Sequence, residues 1–200
     1  MNFDRWKHLQ DNDPPAPHCM DWRHVMMIHA VLINERPKSV VEIGIWNGFS
    51  TAASVEAIEL GFEMKIDFVD KQFRDPIREI VKSIKKPESV RMLDIDSAQY
   101  NGSPECWIID GDHGNGAAID YHHARTRAAR IVIIHDTNPE CRPDRHPGSI
   151  EIGGKLKRDA VCYFEDLKLR EKENTERGLV IGFFYEPGAD TIEALQKLAI

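Results

Sequence analysis

The stretch Val40-Val41-Glu42-Ile43-Gly44-Ile45-Trp46-Asn47-Gly48-Phe49-Ser50-Thr51 decides how this chain folds. Val40 to Ile43 is a short, mostly aliphatic run, the pattern of a strand covered on both faces. Two glycines then mark a turn. Ala52, Val55, Ile58 and Phe62 follow as the apolar stripe of a helix. Strand, turn and helix in this order make half of the unit from which parallel sheets are built.

The pattern repeats outward. Apolar runs recur at Ile66–Val69, Val90–Leu93, Trp107–Ile109 and Ile131–Ile134, and Ala117, Tyr121, Ala124 and Ala128 mark a further helix. The expected fold is therefore α/β, a doubly wound and mostly parallel sheet. Upstream, Val25, Ile28 and Leu32 predict an amphipathic helix over Cys19–Glu35, ended before Pro37. Downstream, Leu167-Lys168-Leu169 alternates and Leu179–Tyr185 is a second strand-like run. The polar turn between them, with Asn174 and Gly178, is too short for a crossover helix, so the pair predicts an antiparallel hairpin. Ile192, Leu195 and Leu198 suggest a last helix. Residues 1–18, broken by Pro14, Pro15 and Pro17, read as a surface arm, and 19–200 as a single domain. Within it the Pro- and Gly-rich segment 137–155 follows a strand end and reads as a lid loop.

Composition bounds the partners. The 200 residues carry a net charge of −7, which argues against a nucleic-acid backbone as the main ligand. Arg125, Arg127 and Arg130 read as a solvated helix face. No apolar run is long enough to span a bilayer, and the start, with Asp4, Arg5, Lys7 and His8, does not resemble a secretory leader. Cys19, Cys106, Cys141 and Cys162 form no CxxC pair, so reduced thiols and a cytoplasmic location are expected, with Cys106 and Cys162 in the core.

Open α/β sheets bind ligands beyond the carboxyl ends of their strands. After the first run, Gly44 and Gly48 let the turn approach a ligand without a Cβ in the way, and Ser50 and Thr51 offer hydroxyls. The spacing E-x-G-x-x-x-G-x-S is not the G-x-G-x-x-G of dinucleotide binders. Asp70 ends the second run, where a carboxylate accepts hydrogen bonds from ribose hydroxyls. Asp94, Asp96 and Ser97 after the third suit an adenine edge. The fourth and fifth runs deliver Asp110, Asp112, His113, His135 and Asp136 to one edge of the cleft. Carboxylates with imidazole suit a hard or borderline divalent cation. The plainer alternative is that His113 and Asp136 cap the neighbouring helix and loop. Trp46 and Trp22 are candidates to stack on a ring, although Trp46 also reads as core or as a wall of the ligand site.

Together, Glu42 to Thr51, Asp70, Ile109-Asp110-Gly111-Asp112-His113 and Ile133-Ile134-His135-Asp136-Thr137 resemble class I S-adenosylmethionine-dependent methyltransferases. Within that class the chain is similar to a small group with an IDGDH…HDT signature, related to metal-dependent O-methyltransferases of catechol and sugar type. The resemblance covers roughly residues 20–185. It implies a Rossmann-like three-layer sandwich whose seven-stranded sheet ends in an antiparallel hairpin. It places Glu42, Gly44 and Gly48, with Trp46 and Ser50 of the same loop, at the methionine end of the cofactor. Asp70 falls on the ribose and Asp96 and Ser97 near the adenine. Asp110 falls beside the cofactor and, with His135 and Asp136, on Mg2+ or another divalent cation. The base is His113 by one set of relatives and Asp112 by another. Two departures stand out: Arg127-Ala128-Ala129 occupies the usual PGG turn, and His135-Asp136 or Asp136-Thr137 replaces the usual Asp-Asp or Asp-Asn metal pair.

The function expected is methyl transfer from S-adenosylmethionine to a small hydroxylated molecule, without nucleic-acid or membrane partners, and compatible with a homo-oligomer. The alternatives are a nicotinamide-dependent oxidoreductase, which lacks its glycine fingerprint here, and a noncatalytic cofactor-binding relative, against which the acidic cluster speaks.

Overall fold

The computed structural model describes residues 6, 9, 20, 22–46, 48–140, 144–167 and 178–199. Seven strands form one sheet: β1 (Ser39–Ile43), β2 (Lys65–Asp70), β3 (Val90–Asp94), β4 (Cys106–Ile109), β5 (Ile131–His135), β6 (Cys162–Asp166) and β7 (Leu179–Phe183). Their spatial order is β3-β2-β1-β4-β5-β7-β6. Neighbours from β3 to β5 are parallel, and β7 is antiparallel to both β5 and β6. The helices are α1 (Trp22–Glu35), α2 (Thr51–Glu59), α3 (Asp75–Lys82), α4 (Asn115–Thr126), α5 (Pro147–Asp159) and α6 (Ala189–Leu198).

Successive strand residues point to opposite faces, and the core divides accordingly. Val40, Ile66, Phe68, Ile108, Ile133 and Ile181 pack with apolar residues of α1, α2, α3 and α6. Val41, Ile43, Val69, Ile109, Val132 and Ile134 pack with Tyr121 and Ala124 of α4 and with Ile152 and Leu156 of α5. This is the doubly wound sheet that the runs predicted and the three-layer sandwich that the resemblance implied. The edge strands β3 and β6 are only partly buried, whereas β4, β5 and β7 are buried throughout. Among the described residues no helix is long and apolar enough to cross a membrane.

Three expectations need correction. The first strand of the hairpin is Cys162–Asp166, upstream of Leu167-Lys168-Leu169. As an edge strand it turns Cys162 and Phe164 to the core and leaves Tyr163 exposed, a signal too weak to stand out in the sequence. Leu169 and the turn around Asn174 lie outside the described residues, as do Cys19, Asn47 and Cys141. Second, the segment 137–155 is not loop throughout, because α5 begins at Pro147. Proline fits the first turn of a helix, where its missing N–H costs nothing, and Ile152 and Leu156 bury one stripe. Gly148 is there for close packing: a Cβ would lie 1.9 Å from the Gly114 carbonyl oxygen. Third, Trp6 and Leu9, within the presumed surface arm, are buried, and the Trp6 indole donates to Glu56 Oε1 at 2.7 Å. The rest of 1–18 lies outside the described residues. Cys106 is buried as expected, and Cys162 only half so.

At the end of β1 the backbone of Gly44 adopts φ +82°, and a Cβ there would sit 2.4 Å from the Asp110 carbonyl oxygen. Gly44→Ala therefore combines a left-handed strain with a backbone clash. It is expected to cost about 3 kcal/mol of unfolding free energy, read as a lowered urea midpoint with an unchanged slope.

Candidate active site

Strand order reverses between β1 and β4: the chain builds outward through β2 and β3, then returns to the other side of β1. A cavity of about 560 Å³ opens at this point, a size suited to a small-molecule ligand. The turn after β1 contributes Gly44 and Trp46, the end of β2 Asp70 and Lys71, the turn after β3 Ile95, Asp96 and Ser97, and the loop after β4 Asp110, Asp112 and His113. Ile119 of α4 adds an apolar wall. Among the described residues, Asp70, Asp96, Asp110 and Asp112 thus share one space with a single lysine, Lys71.

The acids are held by backbone amides. Asp70 accepts from Ile45 N–H at 2.8 Å through Oδ2 and from Gln72 N–H at 3.0 Å through Oδ1, tying the β1 and β2 turns together. Asp96 Oδ1 accepts from Ala98 N–H at 3.0 Å, and its Oδ2 meets Lys71 Nζ at 2.9 Å. The amide donor first, and then the ammonium, hold the Asp96 pKa below its ordinary value. Asp112 Oδ1 accepts from Gly114 N–H at 2.9 Å. Trp46 is 45% exposed at φ +48°, with the Arg74 guanidinium 3.2 Å above its ring. Trp22 instead packs against Phe49, ring centroids 5.7 Å apart.

Of the residues singled out from the sequence, Gly44, Trp46, Asp70, Asp96, Ser97, Asp110, Asp112 and His113 line the cavity, whereas Glu42, Gly48, Ser50, His135 and Asp136 are buried and do not line it. Gly48, at φ +84°, fits against Ile77, whose Cδ1 would be 3.0 Å from an added Cβ. Glu42 is on the face of β1 opposite Val41 and Ile43 and is fully buried. Its Oε1 accepts from Ser50 Oγ at 2.6 Å and Thr51 Oγ1 at 3.0 Å, at the start of α2.

His135 and Asp136 line a second tier beneath Asp110 and His113. Asp110 Oδ1 lies 2.9 Å from His135 Nδ1, which lies 3.4 Å from Asp136 Oδ1. Asp136 Oδ2 meets His113 Nε2 at 3.1 Å and His146 Nδ1 at 3.4 Å. The His24 ring of α1 stands edge-on to His135 at 5.4 Å. Mixed carboxylate and imidazole donors fit a divalent cation, and ligand atoms of Asp110, His135 and Asp136 lie within 4.8 Å of one another. The sequence reading missed His24, His146 and Ser149, whose Oγ is 3.4 Å from His113 Nδ1. No local motif marks them. His146 and Ser149 arrive because α5 docks on the β4 loop, with Gly148 N–H donating to the His113 carbonyl at 2.8 Å.

Burial raises the Glu42 pKa from its ordinary 4.5 to about 7; the Ser50 and Thr51 hydroxyls oppose the shift and the Asp110 carboxylate adds to it. Between these values the folded chain holds a proton that the unfolded chain has released. Stability from this group is therefore present in full below pH 4.5 and is lost as pH rises through about 7. Glu42→Gln is expected to flatten the fall in urea midpoint from pH 5 to pH 8. An unchanged pH slope in the variant would assign that slope to other groups.

No protein-family model matches the chain, and no curated protein does. Solved structures do match in fold. An O-methyltransferase from Bacillus cereus in complex with S-adenosylhomocysteine superposes with a TM-score of 0.67 at 14% identity, covering 92% of this chain and 91% of that one. The Podospora anserina methyltransferase PaMTH1, also with S-adenosylhomocysteine, gives 0.66 at 13% identity over 92% and 87%. The Streptomyces achromogenes O-methyltransferase TomG, in complex with S-adenosylmethionine, gives 0.66 at 11% identity over 90% and 87%. The chain has the fold of class I S-adenosylmethionine-dependent O-methyltransferases.

Proposed function

We propose that the protein is a cytoplasmic enzyme that binds S-adenosylmethionine in this cavity and methylates a hydroxyl of a small molecule, with a divalent cation held by Asp110, His135 and Asp136. One observation carries the reading: a cavity at the strand-order switch whose described wall residues include four carboxylates and one lysine. Such walls attract a sulfonium and an ammonium group and repel the pyrophosphate of a nicotinamide dinucleotide. The cofactors seen in the Bacillus cereus and Streptomyces achromogenes structures support the same choice.

Asp70 takes the ribose hydroxyls with the lone pairs left over from its two amide bonds. Asp96 and Ser97 read the adenine edge beside Ile95 and Ile119. Gly44 and Trp46 line the methionine end, and Glu42 supports that turn from behind by holding Ser50 and Thr51. When bound, the cofactor supplies an electrophilic methyl group, and the cation lowers the pKa of a hydroxyl it coordinates. The protein's main task is alignment at near-attack distance. The proton that the acceptor hydroxyl gives up as its oxygen takes the methyl group goes to His113 or Asp112. Asp136, 3.1 Å from His113 Nε2, orients that imidazole.

Calorimetry and thermal shift with S-adenosylhomocysteine test the reading. At a hundred times its Kd, the ligand is expected to add about 2.7 kcal/mol of stability, and NAD+ none. Asp96→Ala is expected to weaken S-adenosylhomocysteine binding about tenfold, the worth of a hydrogen bond to a charged group. Binding of NAD+ in place of S-adenosylhomocysteine would overturn the assignment.

A further inference from the structure

Helix α5 brings to the cleft a histidine that the function proposed above does not use. His146 stands at its N-terminal boundary, and its Nδ1 faces the same carboxylate oxygen, Asp136 Oδ2, as His113 Nε2. We propose that His113, Asp136 and His146 form a binding site for a nitrogen-favouring divalent transition ion of the Zn2+ or Co2+ kind. The site shares Asp136 with the Asp110–His135–Asp136 set but is distinct from it. The inference deepens the methyltransferase reading, in that the ion would stand on a wall of the same cavity, and it assigns the proton transfer to Asp112 because His113 is spent on the ion.

Four features of the cluster point this way. The three donor atoms lie within 4.8 Å of one another, and two of the separations are 3.1 and 3.4 Å. Atoms bound about 2.0–2.2 Å from one ion sit about 3–3.4 Å apart, so closing on an ion asks for little movement. The two imidazoles approach from different directions, ring centroids 4.6 Å apart and planes at 72°. Each donor comes from a separate element: the loop after β4, the end of β5 and the start of α5. Asp136 holds its carboxylate in place from a left-handed backbone, φ +60°. That conformation is uncommon in a non-glycine residue and persists where the surroundings impose it.

The environment selects the ion. Asp136 and His146 are 1% and 5% exposed, while His113 is partly exposed on the cavity wall. The set is therefore closed from behind and open toward the ligand space, as three-ligand transition-metal sites are. Two imidazoles and one carboxylate favour a borderline ion over Mg2+, which prefers oxygen donors and keeps its waters. Ser149 Oγ, 3.4 Å from His113 Nδ1, stands where a ligating histidine usually has its outer partner.

The test is a titration of the metal-stripped protein with Co2+ alone, read by its visible d–d absorption, with Zn2+ and Mg2+ as competitors. Two variants separate the two sets. His146→Asn keeps a residue that caps helices well but removes the imidazole, and Asp110→Asn leaves the proposed site whole. The expected result is Co2+ binding displaced by Zn2+ and not by excess Mg2+, weakened at least about tenfold in His146→Asn and retained in Asp110→Asn. Loss in Asp110→Asn with retention in His146→Asn, displacement by equimolar Mg2+, or no Co2+ binding at all would overturn the proposal. Calorimetry with S-adenosylhomocysteine on the same samples separates the readings. Binding there without Co2+ binding ends only the metal site, and Co2+ binding without it ends only the methyltransferase reading.

Discussion

The site is organised by the passage of the Gly44 backbone against that of Asp110 and Gly111, too close for any side chain between them. Adjacent parallel strands β1 and β4 leave the sheet here in turns that must diverge, because the chain has already wound to one side and now winds to the other. The gap so created cannot be filled by a strand or by a crossover helix, and it becomes the cavity. Asp70 secures the arrangement from the β2 side by accepting the Ile45 amide. A carboxylate on the cavity wall is thus also a clamp on the loop that shapes the cavity.

Behind that wall the chemistry is concentrated on Asp136. A fully buried carboxylate needs compensation from hydrogen bonds or positive charge, and three imidazoles, from His113, His135 and His146, lie within 3.4 Å of it. The partners come from the loop after β4, from β5 itself and from the start of α5, so the cluster binds α5 to the carboxyl edge of the sheet. Glu42, within β1, is equally buried and meets the problem differently. Burial pushes it toward its neutral form, and the Ser50 and Thr51 hydroxyls at the start of α2 only partly oppose the shift. Two buried acids, in β1 and just after β5, thereby acquire different tasks, one structural and one electrostatic.

The parts of the molecule that could be read in advance are those set by neighbours along the chain. Ile131 to Ile134 has no polar residue, the pattern of a strand covered on both faces, and Asp70 ends its strand, so its place at the carboxyl edge was visible. Edge strand β6 is hard to read because its apolar part, Cys162–Phe164, is short and gives way at once to Glu165 and Asp166. Pro147, Gly148 and Gly153 read as loop because their composition breaks helices in isolation. In the fold, Pro147 starts the helix and Gly148 gains a contact that no other residue permits.

The sequence by itself determined the central parallel strands, the antiparallel finish, and the place of Asp70, Asp96, Asp110 and Asp112 after strand ends, because period and turn chemistry act over a few residues. Only the tertiary structure decided that Glu42 turns away from the ligand space and that His146 and His24 come near it. Those outcomes depend on which face a strand presents and on where α1 and α5 dock, and both are settled by packing between segments far apart in the chain.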